Sequence, residues 1–139
     1  MPSEQELFDE LSFYTLAHGD PAFIHENSAD AWRAQQVDET TKPIALVFAV
    51  MGLYLYLEKG FTGKQVQLAH MRMARQRRTW PLLPLPKTRA NITVAEVLAA
   101  EPGAPRDAMI HKWCAAVWEV WQASRPQIAA LAKAELGVD

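Results

Sequence analysis

The residues of this 139-residue chain best suited to chemistry are its four histidines and the carboxylates that lie near them. A neutral imidazole can act as a base, shuttle a proton or ligate a metal, and a nearby carboxylate fixes its tautomer. His25 lies in the run Phe23-Ile24-His25-Glu26-Asn27-Ser28-Ala29-Asp30, five residues before Asp30. Asp30 can therefore orient His25 as a base or support it as a metal ligand. A structural reading competes. Ser28 is a good N-cap, and an aspartate in the following turn meets the positive end of the helix dipole. On that reading His25 fixes the preceding loop through a backbone hydrogen bond. Asp30 has a local role either way, and the structural reading is the simpler one.

His70 follows Val66 by four residues and precedes Met73 by three. This spacing sets it beside the inner stripe of a helix, where a neutral histidine is stable once both ring nitrogens find partners. A ligand role needs at least two further donors from other helices. His111 shares a helix face with Ala115, Trp118 and Gln122, next to the more apolar face of Ile110, Trp113, Cys114, Val117 and Trp121. Such tryptophans can line a pocket for a flat ligand, but aromatic stripes at helical spacing ordinarily pack as core. Cys114 is the one cysteine, which excludes an intrachain disulfide. Nothing adjacent would activate it, so it reads as a small buried apolar group. HExxH, CxxC, Walker, GxGxxG and GxSxG signatures are all absent. An enzyme here would have to assemble its site from separated helices.

The elements that would position these groups are helices. Ser3 and Glu6 have capping-box spacing, and Leu7, Leu11, Tyr14 and His18 then mark one face of a helix closed by Gly19. Ser28 opens a short helix through Trp32 and Gln35. Thr40-Thr41 with Pro43 opens an apolar helix over 42–59 that Gly60 stops. Thr62 and Gln65 form a second capping box on a helix running to about Arg78. The segment from Trp80 to Pro86 holds three prolines and reads as an apolar strap packed along the body. Thr93 and Glu96 open a short helix to about Ala100. A long last helix starts at Pro105, is kinked or split by Pro126, and is closed by Gly137. No stretch has the alternating pattern of a strand. The expectation is one all-α domain over 1–139, a compact bundle of five to six helices around helix 42–59 with the proline strap on one side.

Half the residues are hydrophobic, 22% are charged and the net charge is −2, which fits a globular chain and excludes a strongly basic nucleic-acid coat. The longest apolar run, Ile44–Leu57, is 14 residues, shorter than the about 20 needed to span a bilayer. The acidic start lacks the pattern of a secretory signal, so no membrane partner and a reducing, cytoplasmic location are expected. The charge is uneven: residues 1–40 carry nine acids and one base, residues 61–92 seven bases and no acid. Either the basic helix packs beside the acidic N-terminal helices, or Arg72, Arg75, Arg77 and Arg78 bind phosphates or nucleic acid. The absence of interleaved aromatics and of an overall basic charge favours the former.

Several segments together resemble a bacterial family of small helical domains of unknown function. They are His25…Ser28…Asp30-Ala31-Trp32…Gln35-Gln36, then Gly52-Leu53-Tyr54-Leu55-Tyr56-Leu57-Glu58-Lys59-Gly60, Trp80-Pro81-Leu82, Ile92 to Leu98, and Trp113…Val117-Trp118…Trp121. The family carries a segment like H-x-x-T-V-D-A-Y-A-x-Q-H before an apolar helix ending in L-E-x-G. The resemblance runs in order along most of the chain. It implies a helical domain and marks His25, Asp30 and Gln35 as matching the motif. The chain departs from it in lacking an N-terminal CxxC-like segment and in carrying Gln36 and Ala49 where relatives have histidines. If relatives bind a metal through those groups, the resemblance implies a lost or reduced site here.

The first functional expectation is a non-catalytic binding or interaction module, as a homodimer or with an unknown small molecule or protein, using His25, Asp30, Gln35, His70, His111 or Trp118. The alternative is a small helical enzyme or metal-binding protein built on His25 and Asp30 with His70 or His111. Anion or nucleic-acid binding through Arg72 to Arg78 ranks last. No sequence signature names a cofactor.

Overall fold

The computed structural model describes all 139 residues. The chain is all-helical, in the order α1 (Glu4–His18), α2 (Ile24–Gln35), α3 (Pro43–Lys59), α4 (Gly63–Ala74), α5 (Val94–Ala99), α6 (Ala104–Val120) and α7 (Arg125–Leu136), with a 3-10 turn at Gln122–Ser124 before α7. No helix is long and apolar enough to cross a membrane.

The local signals explain most boundaries. Ser3 accepts from the Glu6 amide while Glu6 reaches back to the Ser3 amide, and Thr62 and Gln65 do the same for α4. Gly19, Gly60 and Gly137 take the left-handed conformation that ends α1, α3 and α7. Pro43 occupies the first turn of α3, where no intrahelical donor is lost. Pro126 falls in the first turn of α7, so the long C-terminal helix is split rather than kinked.

Two boundaries differ from the sequence reading. The first is at α2, which starts at Ile24 and not after Ser28. Asp20 accepts from the Ile24 amide at 2.9 Å and takes over the capping role. Ser28 becomes an interior residue whose hydroxyl donates back to the Ile24 carbonyl at 3.3 Å. Phe23, at φ 57°, is a non-glycine residue in left-handed backbone and turns the chain into the helix. Second, α4 ends at Ala74, and Arg77 at φ 49° lies in the turn beyond it. α5 does open after Thr93 as expected, but the Thr93 side chain caps no backbone amide. With α6 and α7 separate, the chain has seven α-helices instead of five or six.

α3 carries the densest run of buried residues, including Leu46, Val47, Val50, Met51, Leu53 and Leu55. It packs on α2, α4, α6 and α7, while α1 packs on α2 and α5. In the proline segment Trp80 and Leu83 are buried, whereas Leu82 is exposed. The tryptophans of α6 and its C-cap are core anchors, and each indole N–H is bonded: Trp113 to Gln35 Oε1 at 2.9 Å, Trp118 to Glu58 Oε2 at 2.8 Å, Trp121 to the Ala34 carbonyl at 3.1 Å. Gln35 also donates from Nε2 to the Ile92 carbonyl at 2.8 Å, tying α2 both to α6 and to the segment before α5.

Replacing Gln35 by Ala strands a buried indole donor and a carbonyl at once. Gln35→Ala is expected to cost about 2 kcal/mol, read as a lower midpoint in urea denaturation with an unchanged slope.

Candidate functional site

The early start of α2 changes what its polar residues face. Asp30 now lies in mid-helix, where it neither caps an amide nor meets the helix dipole. Glu26 stands one turn before it, on the same side of the helix. Both point toward His70 of α4. The Glu26, Asp30 and His70 ligand atoms all lie within 4.8 Å of one another. His70 Nδ1 is 3.7 Å from Glu26 Oε2.

Two glycines permit this approach. A Cβ on Gly52 of α3 would fall 2.0 Å from Asp30 Oδ2. A Cβ on Gly63, at the start of α4, would fall 1.9 Å from the Phe23 carbonyl oxygen. The Lys64 amide donates to the Ala22 carbonyl at 2.9 Å, clamping the start of α4 to the turn before α2. Without those side chains to hold the helices apart, α2 is pressed against α3 and α4 at the level of the cluster.

His70 Nε2 lies 2.7 Å from the Phe48 carbonyl oxygen, which can only accept. Nε2 therefore carries the hydrogen, and in the neutral ring Nδ1 turns a lone pair toward Glu26 and Asp30. Burial favours the neutral His70 ring and holds its pKa below the usual value, although the Glu26 charge and the bond to the Phe48 carbonyl pull the other way. Asp30 is 1% exposed, and neither of its carboxyl oxygens has a hydrogen-bond donor. Burial, reinforced by the Glu26 charge, pushes its carboxyl well above the usual range. Glu26 Oε2 also has no donor, and the Asn27 amide nitrogen next to it has no acceptor. These four atoms are the chain's only buried side-chain polar atoms without a partner. All belong to five consecutive residues of α2.

The other expected site residues lie apart from this cluster in their contacts. His25, half-buried, turns toward α1, where Nδ1 meets Thr15 Oγ1 at 2.9 Å. Burial lowers its pKa. It therefore pairs with Thr15, not with a backbone group of its own loop. Gln35 has both amide atoms engaged in the core contacts above. Exposed His111 meets the Tyr56 hydroxyl at 2.9 Å, and Trp118 is held by Glu58. Cys114 is buried, its thiol near the Asn27 carbonyl at 3.4 Å, and burial moves its pKa upward. Of the arginines, Arg78 pairs with Glu135 and lies over the Trp80 ring, and Arg72 reaches the Leu136 carbonyl at 3.5 Å. Arg72 and Arg78 thus find oxygen partners in α7, while Arg89, further along the basic segment, pairs with Glu4 of α1. The structure brings together Asp30 and His70, and adds Glu26, which the sequence reading passed over. Its signal was present in the four-residue spacing of Glu26 and Asp30. A helix begun at Ser28 hides that spacing, because it leaves Glu26 in a loop.

Fold and cluster together define a small helical domain with a buried carboxylate–histidine centre. The chain belongs to a family of unknown function, DUF5946, whose family model matches residues 4–122, from α1 into the 3-10 turn. The match includes every residue of the cluster. No curated protein and no solved structure matches the chain.

Asparagine at position 30 would supply amide donors to the cluster and leave no carboxyl there to ionise. Asp30→Asn is therefore expected to leave the metal-free protein as stable or to raise its stability by about 1 kcal/mol at neutral pH. A loss of stability on thermal or urea denaturation would mean that the carboxylate is already matched by the protein. Gly52→Ala, which drives a methyl into Asp30, should instead lower stability by about 2 kcal/mol or more.

Proposed function

We propose that the protein is a binding module for a divalent transition-metal ion, held by Glu26, Asp30 and His70. The observation that carries this reading is a set of acceptors that no other protein group serves: the carboxyl oxygens of Glu26 and Asp30 and the lone pair of His70 Nδ1 face one another. A cation is the partner such a set accepts. Two carboxylates balance a 2+ charge, and the imidazole favours Zn²⁺, Mn²⁺, Fe²⁺ or Co²⁺ over Mg²⁺ or Ca²⁺. The Phe48 carbonyl, by holding the Nε2 hydrogen, does for His70 what outer hydrogen bonds do for metal-ligating histidines. Around zinc, ligand atoms bonded at about 2.1 Å stand roughly 3.4 Å apart, so the present spread closes through small side-chain rotations. Three protein donors leave a coordination position for water or an outside ligand. Compared with the sequence expectation, Glu26 replaces His25 beside Asp30. A reducing, cytoplasmic setting suits this reading, since the single buried Cys114 needs no partner.

The direct test is thermal denaturation of apo protein titrated with Zn²⁺, Mn²⁺, Fe²⁺ and Co²⁺, alongside metal analysis of the purified protein. At about 100 times the dissociation constant, one of these ions should raise the melting temperature by roughly 5–10 °C at 1:1 stoichiometry. Glu26→Gln, Asp30→Asn and His70→Ala, if folded, should each abolish the shift. Absence of a shift with all four ions in the native protein overturns the reading.

A further inference from the structure

The outward faces of α1 and α4 carry a second signal, independent of the metal cluster. Large apolar side chains on the solvent side of a small domain are informative when they line up. On α1, Phe13 is 77% exposed and Leu16 55%. On α4, Leu68 is 52% exposed and Met71 49%. Each pair continues into charge. Running back from Leu16, the α1 stripe passes through Phe13 to the acidic Asp9. Running forward from Leu68, the α4 stripe passes through Met71 to the basic Arg75, just past the helix end. Both stripes step by three residues and then by four. Read in opposite directions, they have the same spacing.

The helices do not satisfy each other within one chain. α1 packs on α2 and α5, and α4 on α2, α3 and α7. Neither Asp9 nor Arg75 forms an ion pair in the chain; Asp9 only accepts from Gln5 Nε2 at 3.0 Å. The unequal charge of the two segments is thus presented to the outside at these positions.

We infer that the occupant of these faces is a second copy of this chain, with α1 of one copy lying antiparallel on α4 of the next. In that register Leu16 meets Leu68, Phe13 meets Met71, and Asp9 meets Arg75. The apolar pairs lose water together, and the charge pair selects antiparallel over parallel docking. The contact joins unlike surfaces, so it closes into a dimer if two copies exchange it reciprocally and extends into a chain if they do not. Two short helix faces make a small interface, so association depends on concentration.

The test is light scattering on the full chain by size-exclusion chromatography and sedimentation equilibrium, across concentrations up to the millimolar range. The native protein should exceed monomer mass as concentration rises. Asp9→Arg sets like charges face to face and should weaken association about 10-fold. Arg75→Asp should do the same, and the double variant Asp9→Arg with Arg75→Asp should restore it. Leu68→Ser tests the apolar half and should also weaken association. Circular dichroism of each variant checks that these exposed changes leave the fold intact. A monomer at every concentration overturns the proposal. So does association that the single charge changes leave untouched, which would assign the contact to another face, such as Ile44, Leu82 and Leu85.

Discussion

The site depends on a steric constraint: α2 can reach α3 and α4 this closely only because positions 52 and 63 have no side chain. At Gly52 the space of a Cβ is occupied by the Asp30 carboxylate, and at Gly63 by the Phe23 carbonyl. Interior glycine costs a helix roughly 1 kcal/mol relative to alanine. Gly52 offers no turn in return, since it lies in the middle of α3. What it provides is room for a carboxylate in the core.

Elsewhere the chain satisfies its buried polar groups with care. The indoles of Trp113, Trp118 and Trp121 each find an acceptor on α2 or α3. Tyr14 accepts from the Gly103 amide at 2.8 Å and donates to Asp107 at 2.9 Å, pinning α1 to the start of α6. Arg106 reaches the Leu98 and Ala100 carbonyls at the end of α5. Glu58 is held by Trp118 and Arg125, and the Arg125 bonds keep its carboxyl below the usual range. Against this background, the partnerless atoms of Glu26, Asn27 and Asp30 stand out as a local exception. Departures from local consistency concentrate where a protein does something besides fold.

The helical class, the capping boxes at Ser3 and Thr62 and the break at Pro126 were legible because each is a local signal, settled by a few neighbouring residues. The start of α2 was not, and the reason is a competition between caps. Ser28 is followed by an acid in the right place, but Asp20 already holds the Ile24 amide, and the clamp between Ala22 and Lys64 fixes the preceding turn. The second contact is between residues 42 apart and leaves no trace in local spacing. With Asp30 placed in a first turn, its charge had a ready local explanation, and His25 became its natural partner. With Asp30 in mid-helix that explanation disappears. The position facing it is Glu26, one turn back, and His25 points toward α1. His70 was legible as an inner-facing histidine. That its second nitrogen would face two acids depends on how three helices cross.

The acids could in principle be reconciled without a metal, by a proton. Burial favours that outcome in the metal-free protein, since it holds the Asp30 carboxyl in its neutral form far above the usual range. A proton, however, satisfies a limited part of the set. One hydrogen on Asp30 can serve a single acceptor, either Glu26 or His70 Nδ1. The Nε2 hydrogen of His70 is committed to the Phe48 carbonyl, so the ring can supply no second donor while neutral. A charged imidazole could, but burial pulls its pKa down. At least one acceptor thus stays bare, at a cost of about 1–3 kcal/mol, in a domain whose whole stability is about 5–15 kcal/mol. A divalent ion, as proposed, would engage all three groups at once. A neutral His70 and one proton on Asp30 thus leave this network open, which is the physical basis for proposing a cation at the site.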